Sequence, residues 1–233
     1  MTTTAAAMPS SVSVSAPGPG PGSATARLWL VRHARPLVAP GVCYGRLDVA
    51  ADAAATAASA HALAAALPAG VQLAHHSPLK RCEHLAQALQ ALRPDLVLKP
   101  DARLQELDFG TWEGRTWDAI GRAPLDAWTA AFAHHRPGGG ESLAQMLQRV
   151  ASALAAARPQ TRPCTAPQGG SSDVLWITHA GVARCVQWLQ QQQQQQQHGG
   201  SGGSTALPRA DQWPLAAPAW GAWQLVHLAP LHH

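Results

Sequence analysis

The chain is 233 residues long, 46% apolar and 13% charged, with a formal net charge of +4. That length suits one domain with a sizeable core, and a weak positive balance without any block of Lys and Arg fits an anionic small molecule while excluding a nucleic-acid-binding arm. No run of 18 or more apolar residues is present, which excludes a membrane-spanning helix. The four cysteines, Cys43, Cys82, Cys164 and Cys185, form no CxxC pair; a chain this long needs no disulfide staples, so a reducing, cytoplasmic setting is expected.

Residues 1–26 are rich in Ala, Ser, Pro and Gly, lack the regions of a signal peptide, and read as a disordered tail. Residues 27–233 read as one domain. Leu28-Trp29-Leu30-Val31 is an apolar run ending at Arg32-His33, the pattern of a buried strand. A Pro- and Gly-rich loop follows to about residue 49. Residues 52–67 form an alanine-rich helix stopped by Pro68 and Gly70. Residues 71–74 are a second strand, 79–92 a helix closed by Pro94, and 96–98 a third strand. Residues 117–133 are mostly helical, with Pro124 expected to break or restart the helix. A helix over 141–157 follows the Gly138-Gly139-Gly140 turn; 174–177 are a fourth strand, 182–190 open another helix, and 223–228 are the last strand. Two low-complexity insertions interrupt this pattern, at about 158–172 and 190–210; the first glutamines of the second extend the preceding helix. Strands alternating with helices specify an α/β sandwich with a largely parallel sheet.

Three places share one design, a short apolar strand followed at once by polar residues. They are Leu30-Val31-Arg32-His33, the run ending in Ser77-Pro78-Leu79-Lys80-Arg81, and Trp176-Ile177-Thr178-His179-Ala180-Gly181. Residues just past the carboxyl ends of parallel strands line one crevice, so Arg32, His33, Ser77, Arg81 and His179 are expected to converge. Two arginines and two histidines suit a phosphate. The guanidinium fork matches phosphate oxygens. A neutral imidazole, kept neutral by flanking Arg charge, can attack phosphorus, and a second can donate to the transferring oxygens. Glu106, beside an apolar stretch in Leu104-Gln105-Glu106-Leu107-Asp108-Phe109-Gly110, is the candidate proton donor; partial burial or a nearby dianionic phosphate would favour its protonated form.

On these motifs, taken with Trp112-Glu113-Gly114 and Gly140-Glu141-Ser142, the chain resembles the histidine phosphatase superfamily, branch 1, also called phosphoglycerate mutase-like. The motifs occur in the family's order across residues 27–228. The resemblance implies a three-layer α/β/α sandwich with a mostly parallel central sheet and a mechanism with no cofactor and no metal. It implies His33 as the residue phosphorylated, Arg32, Arg81 and His179 as the phosphate pocket, and Glu106 as proton donor. The segment Gly41-Val42-Cys43-Tyr44-Gly45-Arg46-Leu47-Asp48 is most similar to the α-ribazole phosphatase group of cobalamin biosynthesis, which implies α-ribazole 5'-phosphate as substrate. One departure is Ala34, where the family has Gly after the histidine; the added methyl bears on how closely the backbone approaches phosphate.

Several residues have a plainer reading. Asp108 and Glu113 compete with Glu106 for the acid role, and Glu113 is equally a holder of the Trp112–Gly114 turn. Tyr44 and Arg46 are candidates to touch substrate, and equally to stabilise their loop. His75 and His76 match no motif, and no Cys/His cluster has metal-ligand spacing. The expected partner is a small phosphorylated metabolite, neither nucleic acid nor membrane. Three functions stay open: a phosphatase, a phosphoglycerate-type mutase, and a non-catalytic relative that kept the fold. The Gly41–Arg46 loop pattern favours hydrolysis.

Overall fold

The computed structural model describes residues 26–71, 73–158, 173–197 and 206–228. The expected N-terminal tail, Ala26 apart, and residues 159–172 and 198–205 of the two expected insertions lie outside them.

Five strands form one sheet in the spatial order β3-β2-β4-β1-β5. These are β1 (Ala26–Arg32), β2 (Leu73–His76), β3 (Leu98–Pro100), β4 (Val174–Thr178) and β5 (Trp223–Leu228). The pairs β1·β4, β4·β2 and β2·β3 are parallel, and β5 closes the β1 edge antiparallel. Helices cover both faces. Leu28 and Leu30 of β1 and Val174 and Trp176 of β4 pack with α5 (Leu143–Ala157) and α6 (Ala180–Gln197). The alternate residues Trp29, Val31, Leu175 and Ile177 pack with α1 (Ala53–Ala66) and α2 (Lys80–Leu92). Strand side chains alternate between faces, so a strand buried on both faces must be apolar throughout; this is why 28–31 and 174–177 are unbroken apolar runs. The result is the expected three-layer α/β/α sandwich with a mostly parallel sheet.

The helices start where local chemistry supplies a cap. Asp52 accepts from Ala55 N at 2.8 Å ahead of α1, and Ser142 and Gln145 form a reciprocal capping box ahead of α5, each satisfying otherwise orphaned backbone N–H groups. Several boundaries differ from expectation, among them the strand read at 96–98, which runs instead from Leu98 to Pro100 in register with β2. The strand read at 71–74 runs instead from Leu73 to His76, because pairing with β4 sets its register: Ala74 faces Leu175 and His76 faces Ile177. The helix read at 117–133 is two, α3 (Trp117–Ile120) and α4 (Arg122–Ala130). The break lies not at Pro124 but at Gly121, whose φ of +87° a non-glycine residue rarely adopts. Pro124 falls in the first turn of α4, where its missing N–H has no helical partner to lose. Finally, α6 continues through the glutamines to Gln197. Among the described residues no helix is long and apolar enough to cross a membrane.

Candidate active site

Because β4 lies between β1 and β2, the residues that follow these strands meet at one edge. His33 N donates to Thr178 O at 3.0 Å and Ser77 N to Ile177 O at 2.9 Å. His179, one residue past β4, therefore sits between them, its ring centroid 5.1 Å from that of His33.

Hydrogen bonding fixes the protonation of both rings. His33 Nδ1 is 2.7 Å from the Ala34 carbonyl, and a carbonyl oxygen only accepts, so Nδ1 carries the proton and Nε2 keeps its lone pair. Burial lowers the His33 pKa to about 3, with the positive charges of Arg81 and Arg32 adding to the effect, so the ring is neutral near pH 7. Ala34 needs no positive φ, so the methyl that replaces the family's hydrogen is accommodated without backbone strain. His179 Nδ1 accepts from Arg81 Nε at 3.2 Å, which leaves Nε2 to carry the proton toward Ser77 Oγ at 2.8 Å. Burial, then Arg81 and His33, hold the His179 pKa well below its ordinary value.

A cavity of about 360 Å³ opens beside this pair. Arg32, His33, Tyr44 and Glu106 line its polar end, together with Arg184 of α6. Arg32 Nη1 donates to Pro218 O at 3.1 Å and its guanidinium carbon lies 5.3 Å from the centre of the Trp220 ring. Its Nε is buried with no hydrogen-bond partner. An orphaned buried donor is costly. Glu106 Oε1 accepts from Leu107 N and Oε2 from Gly181 N, both at 3.0 Å. A Cβ on Gly181 would stand 2.0 Å from Glu106 Oε1, which is why the helix after His179 opens on Ala180-Gly181.

Of the residues singled out in the sequence, the structure brings Arg32, His33, Tyr44 and Glu106 to the cavity wall. His179 and Arg81, both fully buried, lie just behind it. Arg81 donates to Leu47 O at 2.8 Å, to Gly45 O at 2.5 Å and to His179, and its guanidinium carbon lies 5.4 Å from the centre of the Tyr44 ring. It joins the 44–47 loop to the histidine pair. Arg46 does not reach the cavity; it faces Asp108 at 3.5 Å in a separate cleft with Arg136 and Glu141. Glu113 Oε1 accepts from Arg46 N at 2.7 Å and Phe109 N at 2.9 Å, and Asp108 accepts from Gly110 N at 2.8 Å. Both carboxylates hold turns, and of the three acids in this segment Glu106 is the one on the cavity wall.

The sequence reading missed two arginines. Arg184 lies one helical turn beyond Gly181, the spacing that keeps a side chain on the same helix face, and that was the available signal. Arg149 of α5 pairs with both oxygens of Glu141, at 2.7 and 2.8 Å. It also donates to the carbonyls of Arg103 and Gln105 at 2.7 Å and of Glu106 at 3.2 Å. The Thr178 hydroxyl fastens the same segment through Leu104 O at 2.7 Å. This brace positions Glu106, and nothing local in the sequence announces it.

The fold and its paired histidines at the strand ends define a phosphoglycerate mutase-like α/β sandwich. The chain belongs to the histidine phosphatase superfamily, branch 1, whose family model matches residues 28–205. No curated protein matches it. Among solved structures it is similar in fold to mycobacterial hydrolase 2, with a TM-score of 0.65 and 23% identity over 86% of this chain and 81% of that one. It is also similar to mycobacterial glucosyl-3-phosphoglycerate phosphatase in complex with VO3, with a TM-score of 0.61 and 25% identity over 86% of this chain and 92% of that one. A third likeness is to phosphoglycerate mutase from Thermus thermophilus, with a TM-score of 0.51 and 28% identity over 69% of this chain and 81% of that one.

Proposed function

We propose that the protein is a phosphomonoester hydrolase that passes the phosphoryl group through His33. The observation that carries this reading is the fixed tautomer of His33, whose Nδ1–H is held by the Ala34 carbonyl at 2.7 Å, leaving Nε2 as a neutral nucleophile beside a cavity. In the first step the Nε2 lone pair attacks phosphorus and the ester P–O bond breaks. The leaving oxygen keeps the bonding pair and takes a proton from the Glu106 carboxyl. In the second step water attacks the phosphohistidine, Glu106 takes a proton from the water, and the N–P bonding pair returns to Nε2 as phosphate departs. Arg32, which lines the polar end of the cavity, stabilises the transferring oxygens. His179 turns its Nε2–H from Ser77 to the same oxygens. Arg81 acts one layer back, holding His179 and adding its charge to the burial that keeps both rings neutral.

The resemblance of the Gly41–Asp48 segment supports α-ribazole 5'-phosphate as the particular substrate. The glucosyl-3-phosphoglycerate phosphatase and the phosphoglycerate mutase among the similar structures define the comparison to make. The enzyme is given α-ribazole 5'-phosphate, sugar phosphates and 3-phosphoglycerate in turn, and free phosphate and isomer interconversion are both followed. Release of free phosphate is expected; interconversion of phosphoglycerate isomers without phosphate release would overturn the hydrolase reading.

A further inference from the structure

We propose that the cavity beyond His33 is an aromatic subsite, so that the alcohol released from the phosphomonoester carries a flat apolar ring. This rests on the hydrolase reading above and names its substrate class. The first support is where the aromatic residues go. The whole chain has one Tyr and two Phe, and all three line this cavity, with Trp117, Trp128 and Trp213.

The rings other than Tyr44 pack against one another into a continuous wall. Phe109 meets Trp117 and Trp128 edge-on at 5.6 and 5.7 Å. The planes of Trp117 and Trp128 lie within 9° of each other. Trp128 stacks on Phe132 at 5.8 Å, and Phe132 meets Trp213 at 6.0 Å. Pre-packed rings offer parallel faces and edges to another ring at little cost in side-chain entropy.

The second support is α4 itself. A surface helix ordinarily buries its apolar stripe, yet no residue of α4 is buried. Its Trp128, and Phe132 four residues on, are left half-buried and face the cavity. The third is the chemistry of the lining. Beyond the polar end and Arg184, the wall carries no Asn, Gln, Ser, Thr or Asp side chain among the described residues. Away from the polar end a sugar's hydroxyls would meet only indole N–H groups, which donate and cannot accept, that of Trp128 being buried without a protein partner. A flat ring packs on the same faces and needs few polar partners; a ribose fits only next to the polar end. The cavity size lies within the range that holds small organic ligands, and its polar end holds the phosphoryl group at the same time.

The test uses esters whose leaving groups are all alkoxides, so that leaving-group acidity does not imitate binding. These are 2-naphthylmethyl phosphate, ethyl phosphate and glucose 6-phosphate. The naphthylmethyl ester is expected to have a kcat/KM at least about 30-fold above ethyl phosphate, the scale of burying one aromatic side chain. Trp128→Leu is expected to cut that ratio about tenfold. Should this variant not fold, Trp213→Leu on its separate segment carries the same expectation. In parallel, calorimetry compares 2-naphthylmethylphosphonate with methylphosphonate, neither of which can be hydrolysed; the aryl compound is expected to bind at least about 30-fold more tightly. A ratio near one in both measurements, or a preference for glucose 6-phosphate, would overturn the aromatic subsite while leaving hydrolysis intact. Failure to release phosphate from any ester would instead overturn the hydrolase reading, with the phosphonates still reporting whether the ring is recognised.

Discussion

At the scale of single residues, the site is governed by which protons are held and by what. His33 has a folded-state pKa near 3 because burial and two arginines oppose its charge, against about 6.5 in an unfolded chain. A base whose pKa is depressed by folding stabilises the fold fully above its unfolded pKa, and that contribution is lost as pH falls from about 6.5 toward 3. Denaturation midpoints should therefore show His33→Gln flattening the loss of stability between pH 5 and 6 by about 1.4 kcal/mol per pH unit, the value for one proton. An unchanged slope would mean that His33 charges freely in the folded state.

Glu106 is tested by its leaving-group dependence. An alkoxide needs a proton as it departs and p-nitrophenolate barely does. Glu106→Gln should keep much activity on p-nitrophenyl phosphate and lose most on alkyl phosphates. Gly181→Ala should reproduce that selective loss without touching an acid, because the new methyl would overlap Glu106 Oε1. Equal loss on both substrate types would assign Glu106 a structural role.

The core strands were legible as elements because burial on both faces leaves a composition that a half-buried strand does not have. Boundaries were less so. The displacement of β2 by two residues follows from its pairing with β4, a contact between residues about a hundred positions apart that no local window contains. The site divides in the same way. Arg32, His33 and His179 could be read from motifs because each sits at a strand end, and Glu106 from the motif that surrounds it. The destination of the Arg81 guanidinium could not, because the Gly45 and Leu47 carbonyls that claim it belong to a loop without regular structure. The Arg149 brace was illegible for a related reason: three of its partners are backbone carbonyls, which carry no sequence signal, and its carboxylate partner Glu141 lies eight residues away, outside the three- and four-residue spacing of helical pairs. Arg149→Met should leave Glu141 without its cation and cost about 2–4 kcal/mol, toward the lower side for a partly exposed pair. It should also lower kcat on alkyl phosphates more than on p-nitrophenyl phosphate, since Glu106 loses its support. An even loss across both would make Arg149 a contributor to stability alone.

At the scale of the whole molecule, the strand order β3-β2-β4-β1-β5 does the work that sequence proximity cannot, setting His33 and His179 within ring contact although 146 positions separate them. The layers on either side keep both rings neutral, which suits His33 to attack phosphorus. The direct test is to mix the enzyme with 32P-labelled substrate, quench within one turnover, and map the labelled peptide. The expected label is phosphate labile in acid and stable in alkali, located on His33 and absent from His33→Ala, which should not turn over. Label on another residue, or robust turnover by the alanine variant, would contradict attack by His33.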